Sequence, residues 1–263
     1  MFGDVTRVGA NFHAQQAWGN LKKVNGEIGK IQSRLSTGKR INSAEDDTSG
    51  YALSKHLESR TRGLSQALDN VGTAKNVLNI AEGGYQSQMS ILQTLKEKAT
   101  QAADGSWSAA QRGAIDDQVS ALELEFADIA TDTMFNDTAL FGSTTTFQVG
   151  AGASDTLAVA LNASASVSVD LSTAAGATTA IGTIDTAIST LSESIQNVGD
   201  FQARLSSKEE SLSLAISNTD ATRSRIEDAD FAKEQMGMMK LSILQQTTIG
   251  SFAQANSSAQ MVL

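Results

Sequence analysis

The sequence has 263 residues, 40% apolar and only 5% aromatic, and it contains neither proline nor cysteine. Its net charge of −9 argues against phosphate backbones and anionic lipid as partners, so we expect neither nucleic-acid nor membrane binding. The lack of cysteine excludes disulfides and thiolate chemistry, and the lack of proline permits long, uninterrupted helices.

The first predicted helix covers residues 5–35. Apolar side chains recur there at alternating three- and four-residue steps, as in a coiled-coil seam. Gly38 follows the basic end of this pattern and indicates a helix stop. The seam is formed by Val5, Val8, Phe12, Leu21, Val24, Ile28, Ile31 and Leu35.

A second and longer helix is predicted from a seven-residue apolar repeat. A strict heptad implies left-handed supercoiling against a neighbouring helix. Gly83 and Gly84 lie within the repeat, and we expect a bend there because glycine weakens a helix interior. The repeat consists of Leu57, Leu64, Val71, Leu78, Tyr85, Leu92 and Ala99.

The middle of the chain combines a third helix with a small β-structure. Ser108 and Gln111 form a predicted capping box that opens the helix. The segment 143–182 then carries almost no charge and is rich in Ala, Ser, Thr and Gly. Within it, residues 144–149 and 156–161 are predicted to pair as a β-hairpin.

Helical periodicity returns near Ile184 and continues to Ile216, and a last helix is predicted from Phe231. The sequence therefore predicts a mostly α protein. We expect an elongated antiparallel helical bundle or coiled coil with a small β-hairpin and with its N- and C-terminal helices paired. The seam of the last helix comprises Met238, Leu241, Thr248, Phe252, Ala255, Ala259 and Val262.

No residue pattern indicates catalysis, a cofactor or a metal ion. The two histidines, His13 and His56, lie outside zinc-binding motifs. The acidic runs 45–47 and 227–230 lack the spacing of a calcium loop. We interpret both as carboxylates at helix N-termini, where the helix dipole favours negative charge. We therefore expect a protein that is not an enzyme and binds no cofactor.

The terminal helices are expected to need further partners. A lone helix pair buries too few apolar side chains to offset the conformational entropy lost on ordering its backbone. We predict that the termini are disordered in isolation and fold when copies of the chain assemble.

Two stretches of sequence resemble signatures of bacterial flagellins. Residues 35–47, LSTGKRINSAEDD, resemble the signature of the flagellin N-terminal region, and residues 221–231, ATRSRIEDADF, resemble that of the C-terminal region. The resemblance covers nearly everything outside 143–182. Shorter similar phrases lie at 133–136, 147–150, 243–246 and 253–256.

The resemblance implies a structural subunit that self-assembles into the flagellar filament for motility. A hook–filament junction protein, which shares such termini, is the alternative. The resemblance also implies a terminal coiled-coil domain of residues 1–42 and 226–263 at the inner core of the filament. An elongated helical domain of residues 43–225 would then carry a short variable region, the β excursion at about 143–182.

Partners and location follow from the same resemblance. Further copies of the chain are the main partner, and an export chaperone, the filament cap and hook-associated proteins are also implied. The location is extracellular, in the bacterial flagellum, reached without a cleaved signal peptide. Subunit-assembly contacts are expected at Val5, Val8, Phe12, Trp18, Leu21, Val24, Ile28, Ile31, Leu241, Leu244, Phe252 and Val262.

One segment departs from the flagellin pattern. In flagellins detected by the vertebrate Toll-like receptor, an arginine stands where this chain has Thr94 and a leucine where it has Lys98. Gln93 and Glu97 match that pattern. We expect this protein to activate the receptor weakly.

Overall fold

The computed structural model describes residues 11–260, with side chains described up to Ser257. Of these residues 76% are helical, and the five helices they form confirm the mostly α fold class. The helices are α1 (Phe12–Thr37), α2 (Thr48–Ala103), α3 (Ala109–Asp132), α4 (Ala174–Glu227) and α5 (Phe231–Gln260).

The chain divides into two compact units. Unit 1 comprises Met1–Thr61 and Asn218–Leu263, and unit 2 comprises Arg62–Ser217. Helices α1 and α5 belong to unit 1, α3 belongs to unit 2, and α2 and α4 contribute to both. The domain boundaries expected near residues 42 and 226 stay a prediction.

The core of unit 2 follows the predicted heptad of α2. Every seventh residue from Leu64 to Ala99 is buried, and alanines of the adjacent seam are buried beside them. Small side chains at such positions let the neighbouring helix axes approach closely. Apolar residues of α3 and α4 complete the core, with Ile115, Val119 and Phe126 from α3 and Ile184, Leu191, Val198 and Leu205 from α4.

Two helix ends have the predicted capping residues. Gly38 adopts the left-handed conformation with φ of 73°, and its N–H donates to the carbonyl of Arg34 at 2.9 Å. This geometry closes α1 as a glycine C-cap does. At the start of α3, the side chain of Ser108 accepts from the N–H of Gln111, and the Gln111 side chain accepts from the N–H of Ser108. Both predictions are confirmed.

A first hairpin, which the sequence analysis missed, follows α3. Strand β1 (Met134–Phe135) pairs antiparallel with β2 (Thr138–Ala139). The two residues between them, Asn136 and Asp137, have positive φ angles of 51° and 60°. An Asx pair in this conformation is a strong local signal for a two-residue hairpin turn, and it was available in the sequence.

The second hairpin confirms the prediction. Strand β3 (Thr144–Gln148) pairs antiparallel with β4 (Thr156–Ala160), and its register places Thr144 opposite Ala160. The side chain of Val159 is buried in the core of unit 2.

Helix α4 begins at Ala174, earlier than the apolar pattern from Ile184 suggested. The side chain of Thr173 accepts a hydrogen bond from the N–H of Gly176 at 3.0 Å, as an N-cap does. Ala177 and Ala180 supply the buried face of this first part. The apolar face of this first part consists of small residues, so the pattern of large apolar side chains did not predict it.

The bend expected at the Gly83-Gly84 pair stays a prediction, and the two glycines differ in their surroundings. Helix α2 continues through both residues. A Cβ atom built on Gly84 would lie 2.6 Å from Thr133 Oγ1 and 2.8 Å from Phe141 Cζ, whereas one built on Gly83 would have no such neighbour within 4 Å. Gly84 is required for a close approach of the segment that follows α3.

Candidate assembly surface

Helices α1 and α5 pair antiparallel, as predicted for the two ends of the chain. Near the end of α1, Nη1 of Arg34 lies 3.5 Å from Oε1 of Glu234 at the start of α5. At the opposite end of the pair, the Nδ2 of Asn11 donates to the carbonyl of Ala255 at 2.8 Å. The reversed order of these contacts defines the antiparallel direction.

Six of the predicted assembly contacts lie along the seam between α1 and α5. Leu241 is buried, and the other five are half-buried. The rings of Trp18 and Phe252 face each other across the pair, with centroids 6.0 Å apart. These side chains hold the two helices together within one chain, as seam positions of a coiled coil do. The six are Leu21, Val24, Ile28, Ile31, Leu241 and Phe252.

Three further predicted contacts remain exposed. Phe12, Trp18 and Leu244 each leave a large part of their side chain in solvent. Helix α1 buries none of its 26 residues. Val5, Val8 and Val262, which were also predicted as contacts, lie outside the described residues.

An exposed apolar face on α5 was missed by the sequence analysis. Met236, Met239 and Ile243 are 61%, 60% and 64% exposed. They follow one another at three- and four-residue steps and point away from Leu241, so we call them the outer face of α5. Outer positions of a coiled coil are usually polar. The available signal was this second apolar stripe, offset from the seam.

A shallow cleft of about 530 Å³ runs between the two helices near their free ends. Its lining mixes small polar and apolar side chains, including His13 and Asn20 from α1 and Leu244, Thr247 and Ser251 from α5. Leu244 is the predicted contact that it contains.

The connection between α1 and α2 is joined to the end of α4 by a buried carboxylate. Glu227 lies 2.6 Å from Lys39 Nζ and accepts a 2.7 Å hydrogen bond from Ser54 Oγ. Its backbone carbonyl accepts from the N–H of Arg40 at 2.6 Å. Burial raises the pKa of Glu227, but the hydrogen bonds from Lys39 and Ser54 outweigh it and hold the pKa below its usual value.

These contacts correct part of the interpretation of the acidic runs. Glu227 is the last residue of α4, not the first turn of a helix, and a cation and a hydroxyl stabilise its charge instead of a helix dipole. Asp46 also lies in a loop, where backbone N–H groups of Asn42 and Ser43 lower its pKa.

Two other members of the acidic runs behave as predicted. The side chain of Asp230 accepts from the N–H groups of Ala232 and Lys233 at the start of α5. Asp47 accepts from the N–H of Gly50 at 2.9 Å in the first turn of α2. Both carboxylates satisfy amides that have no partner within the helix.

The departures from the receptor-detected pattern lie on α2. Thr94 and Lys98 are half-buried, and Thr94 Oγ1 donates to the carbonyl of Ser90 at 3.1 Å. Gln93 and Glu97 are exposed beside them.

Between residues 11 and 260, no three His, Asp or Glu side chains converge as a metal site would require. No helix in that range combines the length and the hydropathy of a membrane span.

Comparison with known proteins gives matches at both ends of the chain. The bacterial flagellin N-terminal helical region matches residues 8–146, and the bacterial flagellin C-terminal helical region matches residues 181–263.

Two relatives that align over nearly their whole length agree with these matches. Flagellin FlaB1 of Treponema pallidum is 33% identical over 96% of this chain and 97% of its own length. The flagellar filament core protein flaB2 of Brachyspira hyodysenteriae is 33% identical over the same shares. A crystal structure of Bacillus cereus flagellin aligns with 57% of this chain and 88% of its own, with 25% identity and a TM-score of 0.45.

The long paired helices define a mostly helical protein of the coiled-coil class. The two matched regions and the full-length relatives then determine its family. The chain belongs to the bacterial flagellins.

Proposed function

We propose that this chain is the self-assembling subunit of a bacterial flagellar filament and that its role in motility is structural. The observation that carries the proposal is the apolar surface that the α1–α5 pair leaves exposed. Helix α1 buries no residue, and the outer face of α5 has no partner in the described part of the chain. Apolar surface of this kind marks a protein–protein contact, and membership of the flagellin family supports further copies as the partner.

The filament subunit is favoured over the hook–filament junction protein. The relatives that align over nearly their whole length carry the names flagellin and flagellar filament core protein. Electron microscopy separates the two alternatives, because a filament subunit elongates seeds into long tubes and a junction protein does not.

The assembly contacts fall into two groups in this proposal. The six seam residues hold α5 on α1 inside each copy. Phe12, Leu244 and the exposed part of Trp18, whose ring also faces Phe252, contact neighbouring copies together with the outer face of α5. Val5, Val8 and Val262 belong to the same proposal, as does the placement of residues 1–42 and 226–263 at the inner core of the filament.

The direct test is elongation by the purified full-length chain on short filament seeds. We expect long helical filaments from the unsubstituted chain, and a chain that never elongates seeds contradicts the proposal. Ile243→Gln should raise the critical concentration by roughly tenfold, because about 1.4 kcal/mol of apolar contact is lost from the interface. Lys22→Gln, which places the same side chain at an exposed position of α1 away from the outer face of α5, is the control.

Location and accessory partners extend the proposal. We place the protein in the extracellular flagellum after export without a cleaved signal peptide, with an export chaperone, the filament cap and hook-associated proteins as partners. We assign it no enzymatic activity. Family membership supports these points. Weak activation of the vertebrate Toll-like receptor, expected from Thr94 and Lys98, is tested with purified monomer on receptor-expressing cells, where a strong response contradicts it.

A further inference from the structure

We propose that a cleft beside Arg34 binds a carboxylate side chain from a second copy of this chain. The contact would be one of those that hold the filament together, so it rests on the proposed function. The cleft has a volume of about 380 Å³ and lies between α1 and the loop of residues 42–46.

Two glycines make the backbone of α1 accessible in this cleft. Gly26 and Gly29 both line it, and a Cβ built on either would have no neighbour within 4 Å. Glycine costs helix stability relative to alanine, and its common use is to allow another group to approach the backbone closely. The wall formed by α1 is thus open to an incoming chain.

The cationic groups of the cleft are incompletely paired. Arg34 meets Glu234 through Nη1 at 3.5 Å, at the long limit for a hydrogen bond. Its Nε is buried and has no acceptor within residues 11–260. Lys30, one turn earlier, lines the same cleft. Nε itself is enclosed, so an incoming carboxylate would meet the exposed 28% of the Arg34 side chain, where charge-assisted hydrogen bonds to a guanidinium are strong.

Hydrogen bonds from the backbone of Asn42 and Ser43 and, to a smaller extent, the charge of Arg34 lower the pKa of Asp46, but no hydrogen bond joins Asp46 to Arg34. Asp46 Oδ2 accepts from the backbone N–H groups of Asn42 and Ser43, both at 3.1 Å. Glu45 also lines the cleft, on the exposed loop. Because Asp46 and Glu45 repel another carboxylate, we expect the incoming group to approach Arg34 from the side of α1.

Charge segregation along the chain identifies a second copy as the source of the carboxylate. Residues 11–40 contain six Lys and Arg and a single acidic residue, Glu27. The rest of the chain contains 14 Lys and Arg and 28 Asp and Glu. A neighbouring copy therefore presents carboxylates in twofold excess to a cationic helix, and complementary charges of this kind fix the register of an interface.

Seeded elongation with matched variants tests the contact. Arg34→Gln should raise the critical concentration by roughly tenfold, equivalent to about 1.4 kcal/mol. Glu234→Gln removes the partner of Arg34 within the chain and should leave the critical concentration within about twofold of the unsubstituted value, since the contact between copies remains. Lys22→Gln, which removes a charge from α1 outside the cleft, should behave like Glu234→Gln.

Several outcomes overturn the proposal. Unchanged elongation by Arg34→Gln does so, and so does an equal loss in Arg34→Gln and Glu234→Gln, because the pair within one copy would then explain the effect. If the unsubstituted chain does not elongate seeds, both the proposed function and this contact are contradicted. If the unsubstituted chain elongates and Arg34→Gln elongates equally well, only the contact is contradicted.

A second measurement needs no variant and is independent of folding effects. Filaments grown from an equal mixture of ¹⁴N- and ¹⁵N-labelled chains are treated with a carbodiimide, which joins an amine to an adjacent carboxylate. We expect mixed-isotope peptides in which Lys30 is linked to an Asp or Glu of the other copy. Filaments that give no mixed-isotope link at Lys30 contradict the proposal.

Discussion

Ser54 Oγ donates a 2.7 Å hydrogen bond to Glu227 Oε2, joining two residues 173 positions apart. Both side chains are buried. Together with Lys39, this contact fastens the end of α4 to the segment that leaves α1. The same place in the fold holds an isolated antiparallel bridge between Lys39 and Asp228. The connection between α1 and α2 and the connection between α4 and α5 therefore stabilise each other.

Replacing Glu227 with Gln should lower the free energy of unfolding by about 1–2 kcal/mol at neutral pH, since the amide cannot pair with Lys39. Chemical denaturation of the monomer followed by circular dichroism measures the change. Glu193→Gln, at an exposed position of the same helix, should have little effect. Equal unfolding curves for Glu227→Gln and the unsubstituted chain would show that the pair does not stabilise unit 1.

The same carboxylate should make stability depend on acid. Its pKa is lower in the folded than in the unfolded chain, so its stabilisation is present above the usual glutamate pKa and is lost as pH falls through the folded value. We expect the stability difference between the unsubstituted chain and Glu227→Gln to shrink as the pH is lowered from 7 toward 3. A constant difference over that range would contradict this assignment.

Gly83 and Gly84 offer a neighbouring pair with opposite expectations. Gly84→Ala should destabilise unit 2 by about 1–3 kcal/mol, because the new methyl group would overlap Thr133 and Phe141. Gly83→Ala meets no neighbour and should stabilise α2 by roughly 0.5–1 kcal/mol. Thermal unfolding of both variants measures the changes. Two shifts of the same sign would argue against the close approach at Gly84.

Gly38 is constrained by its backbone conformation and not by space. A Cβ at this position would have Phe231 Cε2 as its nearest neighbour, at an ordinary 3.9 Å. Its φ of 73° nevertheless disfavours an L side chain. Gly38→Ala should cost about 1–2 kcal/mol, and Gly38→Asn should cost less because Asn tolerates this region. Because α1 is expected to fold on assembly, thermal melting of assembled filaments ranks the three chains. Equal melting of the Ala and Gly chains would contradict the C-cap.

The hydroxyl of Tyr85 should ionise at a higher pH than that of an exposed tyrosine. Its hydroxyl donates to the carbonyl of Asn162 at 2.6 Å, and burial raises the pKa of Tyr85 to about 12. Because the folded pKa is raised, the stabilisation is complete below the usual tyrosine value and is lost as pH rises through the folded pKa. The ultraviolet tyrosinate signal should therefore contain a phase near pH 12 that Tyr85→Phe removes. A Tyr85→Phe chain with the same late phase would disprove the assignment.

Periodic features of the sequence predicted most of the fold. The heptad of α2, the seam of α1 and α5, the caps at Gly38 and Ser108 and the β3–β4 hairpin depend on residues within a few positions of each other. Local chemistry determines such elements, so one sequence is enough to find them. The flagellin signatures at 35–47 and 221–231 were equally local, and they identified the family.

The tertiary structure decided which groups meet across long stretches of chain. Nothing near Glu227 in the sequence indicates that Lys39 will pair with its charge and that Ser54 will donate a hydrogen bond to it, and the dipole interpretation failed there for that reason. The sequence likewise indicated only that Gly84 weakens the helix interior, and the structure showed that Thr133 packs against it. The structure also showed which side of α5 is exposed. Leu241 is buried against α1, so the opposite side of the helix, the outer face, is left in solvent.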